Sequence, residues 1–312
     1  MSIVRAPPRA ILIAGPTASG KSALALALAR RFGGAVVNAD SMQVYRDLRI
    51  LTARPTLEEE AEIPHLLFGH VDAARNYSVG RWLADFGAVL TTLSEAGRTA
   101  VVAGGTGMYF KAALQGLSDI PPVPEEVRTR VRARAVGRPP GELHAELAAR
   151  DPLTAARLRD TDPQRILRAL EVFEATGKPL ASFQEARSAP ALDAAQCPAF
   201  FIAPPRPTLF ARIDARFEAM LAAGALEEVR ELGARNLDPA LPAMRAHGVP
   251  HLLAHLGGRL PLEEAARLGK LDTRHYAKRQ HTFARHQLAN FQWLEGAEAE
   301  RQALALLGDV SA

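Results

Sequence analysis

The chain has 312 residues, 48% apolar and 23% charged, enough for about two domains with a sizeable core. Thirty-eight Lys and Arg face 34 Asp and Glu, a net charge of +4 that permits a polyanionic partner without requiring one. No apolar run approaches the roughly 18 residues of a spanning helix, Pro7 and Pro8 stand where a secretory segment would be apolar, and the lone Cys197 excludes a disulfide framework or a multi-cysteine zinc site. The expectation is a cytoplasmic protein with no membrane segment.

Residues 10–14 (AILIA) read as a buried strand, 23–31 (ALALALARR) as a helix and 35–38 (AVVN) as a second strand. Residues 65–71 are a possible third strand, and 99–103 (TAVVA) a further one that ends in Gly104-Gly105-Thr106-Gly107. Strand–helix alternation with glycine-rich strand ends predicts an α/β fold built on a doubly wound parallel sheet. The Pro-rich break at 118–126 opens a stretch of helical pattern, and residues 198–204 (PAFFIAP) return to strand character. The expected organisation is a discontinuous α/β core, 1–120 with 198–312, interrupted by a helical insertion domain at 121–197. From 209 to 294 the pattern is helical.

Gly15-Pro16-Thr17-Ala18-Ser19-Gly20-Lys21-Ser22 follows the first strand and opens the first helix, matching G-x-x-x-x-G-K-[ST]. In that setting backbone N–H groups and a helix N-terminus surround a diphosphate or the phosphates of a nucleotide such as ATP. Lys21 adds a mobile charge, and the Ser22 hydroxyl can ligate Mg²⁺. An ATPase normally carries a carboxylate at the end of another apolar strand, whereas the strongest later strand ends in glycines and Thr106. The second strand ends in Ala39-Asp40-Ser41-Met42-Gln43. Strand C-termini converge on the ligand crevice of such sheets, so Asp40 and Thr106 should both lie near whatever Lys21 holds. Asp40 as a helix or turn cap, and the glycines as a tight turn, are the competing readings.

Net charge is local: residues 270–290 carry five basic side chains and one acidic. On a helix, Arg274, Lys278, His281 and Arg285 share one face and Tyr276 with Phe283 another, which suits a phosphate backbone or describes a solvated amphipathic helix. The arginines at 128, 130, 132 and 134 read as a solvated charged helix, whereas Asp162–Arg168 crowds phosphate and base-edge donors at a helix start. His247, His251 and His255 lack a completing carboxylate and do not read as a metal site. Cys197 reads as structural.

Taken together, AGPTASGKS, NADSMQVYRDLRILTARP, VVAGGTGMYF, DPQRILRALEVFEATGKP, RFEAML and AKRQHTF resemble, in order, the tRNA dimethylallyltransferase family, also called tRNA isopentenylpyrophosphate transferases. The resemblance runs from about Ala10 to Trp293. It implies a P-loop-type core and transfer of a dimethylallyl group from dimethylallyl diphosphate to N6 of the adenosine 3′-adjacent to the anticodon. The tRNAs implied are those reading codons that start with U. It implies Asp40 as general base and Thr106 facing the bridging oxygen of the diphosphate. Gly15–Ser22 would hold the diphosphate with Mg²⁺, and Arg216 would add charge there. The tRNA contacts implied are Asp40, Ser41, Met42, Gln43, Thr106, Arg128, Gln164, Arg165, Ile166, Leu167, Arg168, Arg245, Ala246, His247, Gly248, Val249 and Pro250. Val249-Pro250 and Phe283 stand where many members have Tyr and Trp. No protein partner is implied, and a monomer is the simplest expectation. A P-loop small-molecule or nucleotide kinase is the alternative.

Overall fold

In the computed structural model, which describes residues 8–184 and 187–308, six strands form one parallel sheet. They are β1 (Ala10–Ala14), β2 (Ala35–Asn38), β3 (His65–Leu66), β4 (Ala100–Gly104), β5 (Ala199–Ile202) and β6 (Gln292–Leu294), in the order β3-β2-β4-β1-β5-β6. Residues 1–7, read above as lacking a secretory segment, lie outside the described residues.

The continuous apolar runs are explained by cover on both faces. Leu12, Val37, Val102 and Phe201 point into one core with Trp82, Phe86, Leu90 and Phe110. Their neighbours Ile11, Ile13, Val101 and Phe200 point into another with Leu24, Leu28 and Ala303. A third apolar cluster joins Tyr45, Leu48 and Leu51 to Phe217, Val229, Val249 and Leu252.

The predicted strands at 10–14 and 35–38 form as read, and the first helix starts two residues early, at Lys21. The third is cut to His65–Leu66, because Leu67 (φ 63°) and Gly69 (φ 54°) take left-handed conformations that turn the chain out of the sheet. Val71 keeps only a single bridge to Tyr45. Helices fill most of 209–294 as expected, but the chain there ends in β6, a three-residue edge strand too short to show a period.

The chain divides into two compact units, Met1–Leu114 with Ala191–Ala312, and Gln115–Pro190. Relative to the expected 121–197, both boundaries lie a few residues upstream. At the second of them, Leu192 is buried in the sheet core and its N–H donates to Ala113 O at 3.0 Å, so 191–197 belongs with the sheet. The smaller unit is helical, with Glu125–Ala135, Pro140–Arg150, Pro152–Ala155 and Pro163–Thr176 packed around Val131, Leu147, Ile166 and Leu170. Fully buried Asp151 is satisfied there by the N–H groups of Thr154 (2.9 Å) and Leu180 (3.0 Å).

The ends of β2 and β4 approach as closely as backbone allows. A Cβ on Gly104 would stand 2.1 Å from the carbonyl carbon and oxygen of Ala39. Gly104→Ala should therefore push the two strand ends apart and lower stability by about 1–3 kcal/mol, measurable by urea unfolding. An unchanged midpoint would show that this approach is not needed.

Candidate active site

Buried Asn38 closes β2 and sets the next residue. Its side-chain oxygen accepts from Asp40 N–H (2.8 Å) and its amide donates to the carbonyls of Asp40 and Leu67 (both 3.0 Å). Trp82 in turn donates its indole N–H to Asn38 O at 2.9 Å and stacks on Tyr109. Asp40 Oδ1 accepts from Met42 N–H (3.0 Å), a local turn that fixes the carboxylate. The cap reading of Asp40 and its placement in the crevice both hold.

From β4, Thr106 N–H donates to Ala39 O at 3.1 Å. The Thr106 hydroxyl accepts from Ser41 N–H (2.9 Å) and donates to Ser41 Oγ (3.2 Å). Asp40 and Thr106, 66 positions apart, thus meet at adjacent strand ends.

The phosphate loop follows β1. Ala18 (φ 61°) and Gly20 (φ 101°) take the left-handed conformations that curl it, and Gly20 caps the helix Lys21–Arg31. Ser19 turns its side chain inward. Its hydroxyl is buried without a partner and its N–H is spent on Pro16 O (3.2 Å). Ser19 therefore packs beneath Gly15, where a Cβ would stand 2.7 Å from that hydroxyl. The Lys21 ammonium donates to Pro16 O at 3.3 Å. Burial pulls its pKa down to about 8, Asp40 acting in the opposite direction and Arg216 in the same one. Burial also lowers the pKa of Arg216, but a guanidinium remains charged.

Two cavities share Arg216 in their walls. One is lined by Thr17, Asp40, Met42, Phe217, His247 and Tyr276 among others. The other is lined by Lys21, Ser22, Gln43, Arg54 and Phe68 among others. Arg216 lines both. In the first, the His247 and Tyr276 rings form part of the wall, 4.7 Å apart centroid to centroid and tilted 46° to each other. Gln43 lends its amide to the carbonyls of Thr52 (2.9 Å) and Ala53 (2.8 Å), holding the loop that faces the second.

Around these cavities, Arg245 and Pro250 are exposed and His247 half-buried, whereas Ala246 and Val249 fill the core. Gly248 (φ 94°) is buried against the Phe217 ring. Side-chain contacts to RNA from Ala246 and Val249 are ruled out by that burial. In the helical unit, Gln164 and Arg165 are exposed at the start of Pro163–Thr176, which Asp162 caps by accepting from Arg165 N–H (3.2 Å). Ile166 is fully buried, so its expected contact is likewise corrected, and Leu167 packs partly into the same core. Arg128 pairs with Glu125 (2.7 Å) and Arg168 with buried Glu171 (3.7 Å). Arg130 and Arg134 hold Glu174, whose carboxyl they keep ionised down to about 2. The expected solvated arginine face is thus anchored to the neighbouring helix.

The basic stripe forms on the helix Leu262–Gln287 but is thinner than expected. Arg274 is tied to Asp214 and His281 packs against Phe201 and Trp293, leaving Lys278 and Arg285 exposed beside Arg279. His251 bonds Asp272 (2.8 Å) and His255 the carbonyl of Leu260 (3.0 Å), so the three histidines face separate partners. Cys197 is buried. Asn38, Gln280 and the inward role of Tyr276 escaped the sequence reading; a polar residue closing an apolar strand was the one available signal for Asn38.

A phosphate loop on a parallel sheet, opening beside a carboxylate and a hydroxyl from adjacent strand ends, defines a P-loop-type group-transfer enzyme. The IPP transferase family profile matches residues 43–287 and the isopentenyl transferase profile residues 8–66. The tRNA dimethylallyltransferase of Methylocella silvestris is 64% identical over 296 residues, covering 95% of this chain and 98% of that one. The crystal structure of the full-length tRNA isopentenylpyrophosphate transferase from Bacillus halodurans superposes with a TM-score of 0.68 at 30% identity, covering 96% and 95% of the two chains. A eukaryotic dimethylallyltransferase captured acting on tRNA gives a TM-score of 0.78 at 27% identity over 92% of this chain and 73% of its own. The chain belongs to the IPP transferase family, the tRNA dimethylallyltransferases, and is a transferase. Among the described residues, no helix is long and apolar enough to cross a membrane.

Proposed function

We propose that this enzyme transfers the dimethylallyl group of dimethylallyl diphosphate to N6 of the adenosine 3′-adjacent to the anticodon, in cytoplasmic tRNAs that read codons starting with U. The observation that carries the residue assignment is that Arg216 lines two cavities, one bearing Lys21 and Ser22 and the other Asp40. Diphosphate sits on the loop Gly15–Ser22, with Lys21 and Arg216 as counter-charges. The target adenine leaves its stack and enters between the His247–Tyr276 wall and Asp40, as base-modifying chemistry requires. The N6 lone pair forms the bond to C1 of the donor while the C1–O bond breaks. The electron pair leaves with diphosphate, and Asp40 accepts the amine proton. Thr106, beside Asp40, turns its O–H from Ser41 Oγ to the bridging oxygen as charge develops there.

Ser22 at the helix start would hold Mg²⁺, a hard cation that suits one hydroxyl with phosphate oxygens and water, and that would neutralise leaving-group charge. Exposed Arg245, Lys278, Arg279, Arg285, Gln164 and Arg165 supply the RNA-facing donors. A kinase would use the same loop, but β4 ends in glycine and Thr106 rather than the carboxylate an ATP-bound Mg²⁺ needs. Incubation with unmodified tRNA and labelled dimethylallyl diphosphate tests the proposal: label should enter RNA on the anticodon-adjacent adenosine. ATP consumption with unlabelled RNA would favour the kinase.

A further inference from the structure

The buried face of the long helix carries one amide that the chemistry above does not use. Gln280 is almost fully buried, and its side chain spans two parts of the site that come from different strands. Its Nε2 donates to Gly105 O at 2.8 Å, within the turn that carries Thr106. Its Oε1 accepts from Thr17 N–H at 3.3 Å, within the phosphate loop. The contact is tight on the strand side: a Cβ on Gly105 would stand 2.1 Å from Nε2, and the same point is 3.1 Å from Asp40 Oδ2. One helical turn further along, Phe283 packs against Gly107, where a Cβ would stand 2.3 Å from the ring. Two glycines of the strand end are therefore occupied by this helix.

Both bonds need an amide. A carboxylate can only accept, an ammonium can only donate, and Asn is one methylene shorter. We infer that Gln280 is a positioning residue for the transfer reaction, holding the Thr106 turn through its N–H and the phosphate loop through its oxygen, so that leaving group and base keep their relative placement. The inference rests on the proposed function and adds to it a residue that touches neither substrate. Losing the bond to Gly105 would free the turn that aims Thr106 and affect turnover. Losing the bond to Thr17 would loosen the loop and affect donor binding.

The two bonds can be separated by substitution. Gln280→Glu keeps the acceptor for Thr17 N–H and loses the donor to Gly105 O; Gln280→Met keeps much of the shape and loses both. Transfer of labelled dimethylallyl groups to an unmodified tRNA is measured for wild type and both variants, with folding followed by thermal unfolding. For Gln280→Glu, kcat should fall roughly ten- to hundredfold, the range for an unmet buried carbonyl, with donor KM within about twofold. Gln280→Met should lose kcat and raise donor KM several-fold. Burial raises a carboxyl pKa, so lowering the pH from about 8 to about 6 shifts the Glu variant toward its protonated form, which can donate again, and its activity relative to wild type should rise. Asp40, Lys21 and Tyr276 face the same region in all three proteins, so the pH profile of Gln280→Met, which has no titrating group at 280, is the control for that ratio. The assignment is overturned if folded Gln280→Glu matches wild type, or if its ratio to wild type does not change with pH. Should the Met variant not fold, the pH ratio of the Glu variant decides alone. Wild type that places no label in RNA would instead sink the proposed function.

Discussion

Asp40→Ala is expected to abolish transfer while diphosphate still binds. The carboxylate is the acceptor for the amine proton, and general-base contributions are typically a hundred- to ten-thousandfold. It is also a negative charge beside Lys21 and Arg216, so removing it does not weaken the counter-charges that hold an anion. Alanine additionally deletes the turn to Met42 N–H, which complicates its reading. Asp40→Asn separates the two effects, because its side-chain oxygen can still accept that N–H but cannot take a proton from the adenine. Both variants should lose turnover to a similar extent and keep diphosphate affinity within a few-fold, measured by calorimetry. Near-normal kcat for Asp40→Asn would falsify the base assignment.

Lys21→Met should raise the Kd for diphosphate and lower kcat together, because the ammonium contacts the leaving group both before and during bond cleavage. Removing one such charge-stabilising donor generally costs about a hundred- to a thousandfold in turnover. The depressed pKa gives the same residue a pH signature. In the free enzyme Lys21 is charged below about 8 and neutral above it. A bound diphosphate anion favours the charged form, so binding above that pH must take up a proton. Affinity should therefore be level below pH 8 and fall by up to about tenfold per pH unit above it. Lys21→Met removes the titrating group, and its weaker binding should be flat across the same window. A wild-type profile that stays level through pH 9 would place the ammonium elsewhere.

Most of the sheet could be read from local pattern. Runs such as AILIA and AVVN, buried on both faces, leave continuous apolar stretches that end where polar residues begin. The phosphate loop was legible for a related reason: its chemistry is carried by consecutive backbone groups, so spacing alone specifies it. The side chains that complete the site were harder to see. Arg274 looked like an RNA-facing cation and is held by Asp214, while Ile166, Ala246 and Val249 sit inside motifs whose neighbours are exposed. A motif names a segment, but burial sorts its members one by one.

What the sequence determined alone was the parallel α/β core, the loop Gly15–Ser22, the pairing of Asp40 with Thr106 at converging strand ends, and a helical insertion. These follow from periodicities of two and 3.6 residues and from contiguous spacing. Tertiary structure decided which of these groups are held in place, and by what. Gln280 reaches Thr17 across 263 positions and Gly105 across 175, and Trp82 fixes Asn38 across 44. It also moved the significance of the +4 charge. The excess within 270–290 is real in sequence, yet Asp214 holds Arg274 and Glu218 holds Lys270, and the remaining cations, Lys278, Arg279 and Arg285, are those left facing solvent. Such contacts have no period and no fixed spacing, because they arise only once packing has brought distant segments together.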